Sequence, residues 1–460
     1  MTDPDNVNPD KPDPEPNGEN LERPFSRTFG VDPPEGIHID FGEPTSPNNV
    51  KIEKQPKDSA APPPGTHPAD RPLRIVLTLM LAAVALACFG LARLGSSRPD
   101  LIEYWFTERF GFYIALFLTR LTAPIPTSLA EWVILAVAIT PLWWTFRGIL
   151  QVLRRRRGLL NALGCFVTRL VMLVAVIVSV FYITWGFNYS RAGFIARQGW
   201  EDFDRTPDSD EAAAKELKEF AERLVEETNR AFMEAFETND PGVPSTPPEG
   251  WRELDKRLES AYQQVGRLMD LHASFSAPRA PAKPVLFAKA MSYTLISGVY
   301  SPYTGEANYN PLVPPCHLAH TIAHEKAHQR GITSEDEANF FGFLACIHAA
   351  SPYARYSGWL MAQRQILGLL NRVDPEAARA LADKRLPGIR RDLEAAAAFY
   401  QRYAGRVSQA QHRINDAYLK VNRVKGGAAS YGMSARLILA YCRWEEKHQE
   451  SQNTQGNSLP

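Results

Sequence analysis

The sequence predicts a membrane-anchored, mainly α-helical chain: three transmembrane helices, then a helical α+β domain carrying a small edge hairpin or sheet. Three observations point there. Uncharged apolar runs near the length of a bilayer crossing lie between residues 75 and 187. After residue 209, apolar residues recur at helical spacing through most of the chain. One stretch, 297–305, alternates β-branched and aromatic residues and is broken by Gly and Pro, which suits an edge strand or hairpin. At 460 residues the chain is too long for one compact domain. Its 51 basic and 51 acidic residues balance, so no net charge draws it to nucleic acid.

Residues 1–71 are rich in Pro, Asp, Glu, Asn and Lys, include Pro62-Pro63-Pro64 and hold almost no apolar clusters. That is the composition of a disordered tail, one able to dock a cytoplasmic partner. The membrane region is expected over 72–189. Its first span is 75–92, too deep in the chain to be a cleaved signal peptide. The second, about 125–146, offers Trp132, Trp143 and Trp144 to an interfacial belt and allows a kink at Pro141. The third is about 170–187. The apolar stretch 110–118 is short and flanked by Arg109 and Arg120, so it reads as interfacial or re-entrant. Arg154-Arg155-Arg156-Arg157, with Arg147 and Arg169, lies between spans two and three, and Arg71 and Arg74 precede span one. Arginines beside spans stay cytoplasmic. The expectation is a multi-pass cell-membrane protein with a cytoplasmic N-terminus and an extracytoplasmic domain over 190–449, ending in a disordered 450–460.

Within that domain, Leu217, Phe220 and Leu224, then Trp251, Leu254, Leu258 and Tyr262, mark amphipathic helices. Helical patterning continues over 360–370, 377–381, 393–421 and 428–444, broken by Pro375, Pro387 and Gly426-Gly427. About 250 residues can enclose a site. Cys88 and Cys165 fall in or beside spans. Cys316, Cys346 and Cys442 resemble no zinc knuckle, and Cys346 reads as a buried free thiol.

The chemistry is concentrated in His324-Glu325-Lys326-Ala327-His328. Two histidines four apart on a helix share a face and can grip one Zn2+, and the glutamate between them is placed to take a proton from water at the ion. The bland alternative is a surface helix with two solvated histidines. Gln329-Arg330-Gly331 ends the helix, and Ser334-Glu335-Asp336-Glu337 looks like a capping box opening the next. A catalytic zinc needs a third ligand. Glu335 is the first choice; Glu337, expected to fold back onto the helix start, is the competitor. Asn339 sits at i+4 from Glu335 and could orient a ligand histidine. His320 cannot join His324 and His328 on one ion, because i to i+8 spans about 12 Å along a straight helix. The segment 297–305 could bind an extended peptide beside the site or merely cover the core; Glu306 and Asn308 could line the site or shape the turn.

From about 180 to 440 the chain resembles a family of bacterial membrane-anchored zincin-like proteins, the domain of unknown function 3810. The matching stretches are Trp185-Gly186-Phe187-Asn188-Tyr189, Ser301-Pro302-Tyr303-Thr304-Gly305-Glu306-Ala307-Asn308-Tyr309-Asn310, the pentad with Gly331, and Glu335-Asp336-Glu337-Ala338-Asn339-Phe340. Tyr356-Ser357-Gly358, Asn415-Asp416-Ala417-Tyr418-Leu419-Lys420 and Ser430-Tyr431-Gly432 follow. The resemblance implies a metallopeptidase. More broadly, the Glu-x-x-Ala-Asn run resembles gluzincin peptidases, in which a glutamate is the third ligand and an aspartate four later supports a histidine. This chain has Asn339 there, which carries no charge to raise ligand basicity. Tyr418 and Tyr431 are candidate donors to an oxyanion.

The expected function is therefore a membrane-anchored zinc metallopeptidase acting on extracytoplasmic proteins or peptides, with metal ligands His324, His328 and Glu335 and general base Glu325. The alternative is a catalytically inactive zinc-binding membrane scaffold or sensor.

Overall fold

The computed structural model describes residues 70–205, 209–236, 240, 245–422 and 434–456. Nearly all of the expected N-terminal tail, Gly426-Gly427 and the Ser430-Tyr431-Gly432 motif lie outside them.

Three helices are long and apolar enough to cross a bilayer: Pro72–Gly95, Leu129–Leu153 and Leu159–Thr184. Several bounds differ from those expected. The second helix starts at Leu129 rather than near 125, because Ser128 caps it and accepts the Glu131 N–H. It also runs past Arg147, and the third begins at Leu159, well before Arg169. Both arginines are tolerated on these helices because each guanidinium lies against a tryptophan, Arg147 over Trp143 and Arg169 over Trp144. The four-arginine run closes the tight connection between the two helices.

The stretch expected to be interfacial belongs to a longer helical segment, Ile102–Phe110 in π geometry followed by Gly111–Thr122. Buried Thr119 and Thr122 face the domain, and Thr119 donates to the Gly305 carbonyl at 2.8 Å. Tyr113, Phe117 and Leu121 are exposed on the other side.

The domain core is built on six helices, Asp210–Phe236, Trp251–Leu268, Pro315–His328, Glu335–Ile347, Pro352–Val373 and Ser434–Gly456. Their apolar faces bury Leu224, Leu258, Tyr262, Ile322, Phe340, Phe343, Ile366 and Ile438 in one cluster. The expected helix over 393–421 breaks at Gly405 into Pro387–Tyr403 and Arg406–Val421. The last helix continues past residue 450, where a frayed end was expected.

The sheet is small, as expected. Strand β1 (Lys283–Pro284) runs parallel to β3 (Glu306–Tyr309), and β2 (Gly298–Ser301) pairs antiparallel with β3 in the register Val299 opposite Asn308 and Tyr300 opposite Ala307. The order β1-β3-β2 leaves β2 on an edge.

Apolar helices and domain belong to one compact unit. Glu306 is engaged within the fold: its carboxylate accepts the Leu129 and Ala130 N–H groups at 3.2 and 2.9 Å and the Lys283 ammonium at 2.6 Å. A carboxylate at a helix N-terminus meets both the open N–H groups and the positive end of the helix dipole. The Lys283 ammonium also donates to the Thr122 carbonyl.

Candidate metal centre

Pro314 and Pro315 start the pentad helix and Gly331, at φ +82°, ends it, as expected. The helix is not a solvated surface element. Ala323, Glu325, Lys326, Ala327, His328 and Gln329 are all buried, which sets aside the bland alternative. Its charged residues are paired inside: the Lys326 ammonium lies 3.1 Å from Asp255 and 2.8 Å from Glu259, and the Arg330 guanidinium 2.5 Å from Glu259. Burial pulls the Glu259 carboxyl up, but Arg330 and Lys326 outweigh it and hold the group down at about 2.

His324, His328 and Glu335 converge so that one ligand atom from each lies within 4.8 Å of the others. The two Nε2 atoms are 3.1 Å apart, and the Glu335 carboxylate lies 3.3 Å from His324 Nε2 and 3.8 Å from His328 Nε2. Two ligands at about 2.0–2.1 Å in tetrahedral geometry stand about 3.3 Å apart, so the trio has the spacing of a cation's ligand shell. The opposite ring nitrogens are occupied. His324 Nδ1 donates to Asn339 Oδ1 at 3.0 Å and His328 Nδ1 to the Ile332 carbonyl at 2.6 Å. Both Nε2 lone pairs therefore point into the same space, and they repel unless a proton or a cation lies between them. Burial pushes the His328 imidazole down to about 4. Burial also pulls on His324, but hydrogen bonding to Glu335 and the nearby carboxylates win and raise it.

The second candidate ligand, Glu337, points elsewhere. Its carboxylate accepts the Phe194 N–H at 2.7 Å and the Arg197 guanidinium at 2.5 Å. The expected capping box is thus absent: Ser334 makes no side-chain cap, and Glu337 ties its helix to the short helix Phe194–Gln198. The reason is a partner 140 residues away, invisible in local spacing.

Glu325 is buried beside the trio, and its Oε2 has no hydrogen-bond partner among the described residues. Burial pushes its carboxyl up to about 8; His324 and a hydrogen bond from the Tyr300 backbone N–H act in the opposite direction. Gly298 makes room for it. A Cβ at that position would lie 2.5 Å from Glu325 Cγ and Oε1. An isolated glycine inside a strand pattern signals such a close approach, and this was the available sequence clue to Gly298.

A cavity of about 690 Å³ opens over these groups. The edge strand forms one wall, and Gln411, His412, Asn415 and Tyr418, from the roof helix Arg406–Val421, form another. Tyr418, one of two candidate oxyanion donors, shares a 2.9 Å hydroxyl–hydroxyl hydrogen bond with Tyr189; Tyr431 lies outside the described residues. His320 lies on the cavity wall with its Nε2 bonded to the Asn339 carbonyl at 3.1 Å. His317 stacks on Tyr400 and is bonded to Arg364. Cys346 is buried and free, as expected. Trp185 had no assigned role in the sequence; its indole N–H donates to the His328 carbonyl at 3.3 Å.

No curated protein and no solved structure is significantly similar to the chain. The family model described as protein of unknown function (DUF3810) matches residues 106–439, most of the chain, and the chain belongs to that family.

Proposed function

We propose that this chain is a membrane-anchored zinc metallopeptidase of gluzincin-like design, acting on extracytoplasmic polypeptides. The observation that carries the reading is the convergence of two imidazole Nε2 atoms, each fixed by a hydrogen bond at its Nδ1, with the Glu335 carboxylate. A two-imidazole, one-carboxylate donor set suits zinc and leaves a coordination position open. When bound, the ion supplies Lewis acidity and lowers the pKa of water at the site.

The chain's own residues do the rest. Asn339 and the Ile332 carbonyl hold the two rings in the tautomer that presents Nε2. Glu325, lining the cavity with one oxygen unpartnered among the described residues, takes a proton from water and returns it to the leaving amine. The open edge of β2 offers main-chain groups to an extended substrate, and the Tyr300 N–H keeps the Glu325 carboxylate turned toward it. Asn339 supplies orientation without the charge an aspartate would add.

The test is metal content and turnover of the detergent-purified full chain beside His324→Ala and Glu325→Gln. About one zinc per chain, lost in His324→Ala, together with peptide hydrolysis lost in Glu325→Gln at full zinc occupancy, supports the peptidase. Zinc retained with no hydrolysis by either the parent or Glu325→Gln would favour the scaffold or sensor alternative. A folded protein that cannot be loaded with zinc would overturn both.

A further inference from the structure

The candidate metal centre lies against the end of the third apolar helix. Trp185, which bonds the His328 carbonyl, directly follows Thr184, the last residue of Leu159–Thr184. The hairpin turn after β2 reaches further down: the Tyr303 hydroxyl donates to the Ile177 carbonyl at 3.4 Å. Ile177 lies about 10 Å along the helix axis from its end at 1.5 Å per residue. The roof helix is tied to the same level, with Tyr418 against Phe181 and the Val421 carbonyl accepting from Arg93 near the end of Pro72–Gly95. On its outer side Val407, Ile414 and Val421, seven residues apart, are 56%, 71% and 55% exposed. An apolar stripe held beside the ends of two apolar helices fits the headgroup boundary of a bilayer.

These contacts give the edge strand a direction. Its turn end, at Tyr303, is the end beside the apolar helix, and Gly298, against Glu325, is the far end. The extended chain from Gly298 to Ser301 covers about 10 Å at 3.4 Å per residue, and the turn at 302–305 follows it. A strand added to β2 therefore has one end at the membrane and meets the general base a few residues later.

We infer that the cavity takes the juxtamembrane segment of a membrane-anchored polypeptide, cutting it within about ten residues of where it leaves the bilayer. This rests on the peptidase reading. A soluble peptide would have to reach a strand edge whose entrance is flanked by the apolar helix ends and the roof helix.

The test uses the full zinc-loaded chain in phosphatidylethanolamine–phosphatidylglycerol vesicles. One reporter has a single Leu/Ala span followed by an unstructured segment containing all twenty residue types. A second carries a rigid helical spacer of about 45 Å between span and segment. A third is the segment alone, in solution. Cut sites are mapped by mass spectrometry, with Glu325→Gln as the blank. The inference expects cleavage of the first reporter near its span, and about tenfold or more slower cleavage of the other two. Because the spacer reporter shares the membrane, co-localisation alone raises its rate equally. Equal cutting of the first two reporters, or efficient cutting of the soluble segment, would overturn the inference and leave the peptidase standing. No cleavage above the Glu325→Gln blank with any reporter would sink both.

Discussion

Gly298 and Glu325 are in contact across the cavity wall: a methyl group on the strand residue would overlap the carboxylate of the helix residue. The edge strand and the proposed base are thus positioned by each other, with glycine as the condition of their approach. Gly298→Ala is expected to displace the carboxylate, lowering peptide turnover about a hundredfold while zinc stoichiometry stays unchanged. Overpacking of this kind costs about 1–3 kcal/mol, visible as a modest fall in Tm. Unchanged turnover would show that Glu325 is not held where the chemistry happens.

Glu335 and Glu337 should separate cleanly. Glu335→Ala should weaken zinc binding at least about tenfold in competition with a chelating dye, with little loss of stability. Glu337→Ala should leave zinc binding intact and cost about 2 kcal/mol in denaturant unfolding, because the mostly buried Arg197 guanidinium loses its nearer carboxylate and is left with Glu103 at 3.8 Å. The reverse pattern would exchange the two assignments.

Asn339→Ala should lower zinc affinity by about tenfold to a hundredfold, since His324 then loses the group that fixes its ring. Asn339→Asp should restore or raise it. An alanine variant with parent affinity would mean that Asn339 does not set the tautomer.

Zinc binding should weaken in acid. The ligand histidines must be neutral, and Glu335 holds the His324 proton more tightly than usual. Affinity is expected to be level at high pH and to fall about tenfold per pH unit once pH drops through the raised His324 value. Isothermal titration across pH would measure this, and a flat profile would contradict it.

A second pH effect belongs to stability. The Glu259 carboxyl is depressed to about 2 against 4.5, so its pairing stabilises the fold fully above the unfolded value and is lost as pH falls through the folded one. The contribution is about 3 kcal/mol, disappearing between about pH 5 and pH 2. Glu259→Gln should flatten that limb of the unfolding-versus-pH curve.

Local pattern made much of this molecule readable. The three apolar runs, the pentad helix, its glycine stop and the edge strand all follow from composition and period, and Glu335 and Asn339 follow from helix spacing. What escaped was non-local. Glu337 was read as a cap because its partners, Phe194 and Arg197, lie far up the chain. The inward pairing of Lys326 and Arg330 had no local signal, because Asp255 and Glu259 are on another helix. The span bounds slipped because arginine was taken as a stop, while tryptophans one helix turn or one helix away accommodate it.

The clamp of Glu306 onto Leu129 and Ala130 bears on how the protein is made and how it can be dissected. The middle strand of the sheet completes its bonding with the opening turn of a helix synthesised about 180 residues earlier. The sheet therefore cannot mature before that helix is in place, and docking of this apolar helix becomes a prerequisite for a finished cavity. A fragment started at residue 190 would leave Glu306 buried with only Lys283 and no N–H groups to receive it. Such an excised fragment would aggregate or stay open, and biochemistry on this protein belongs with the full chain.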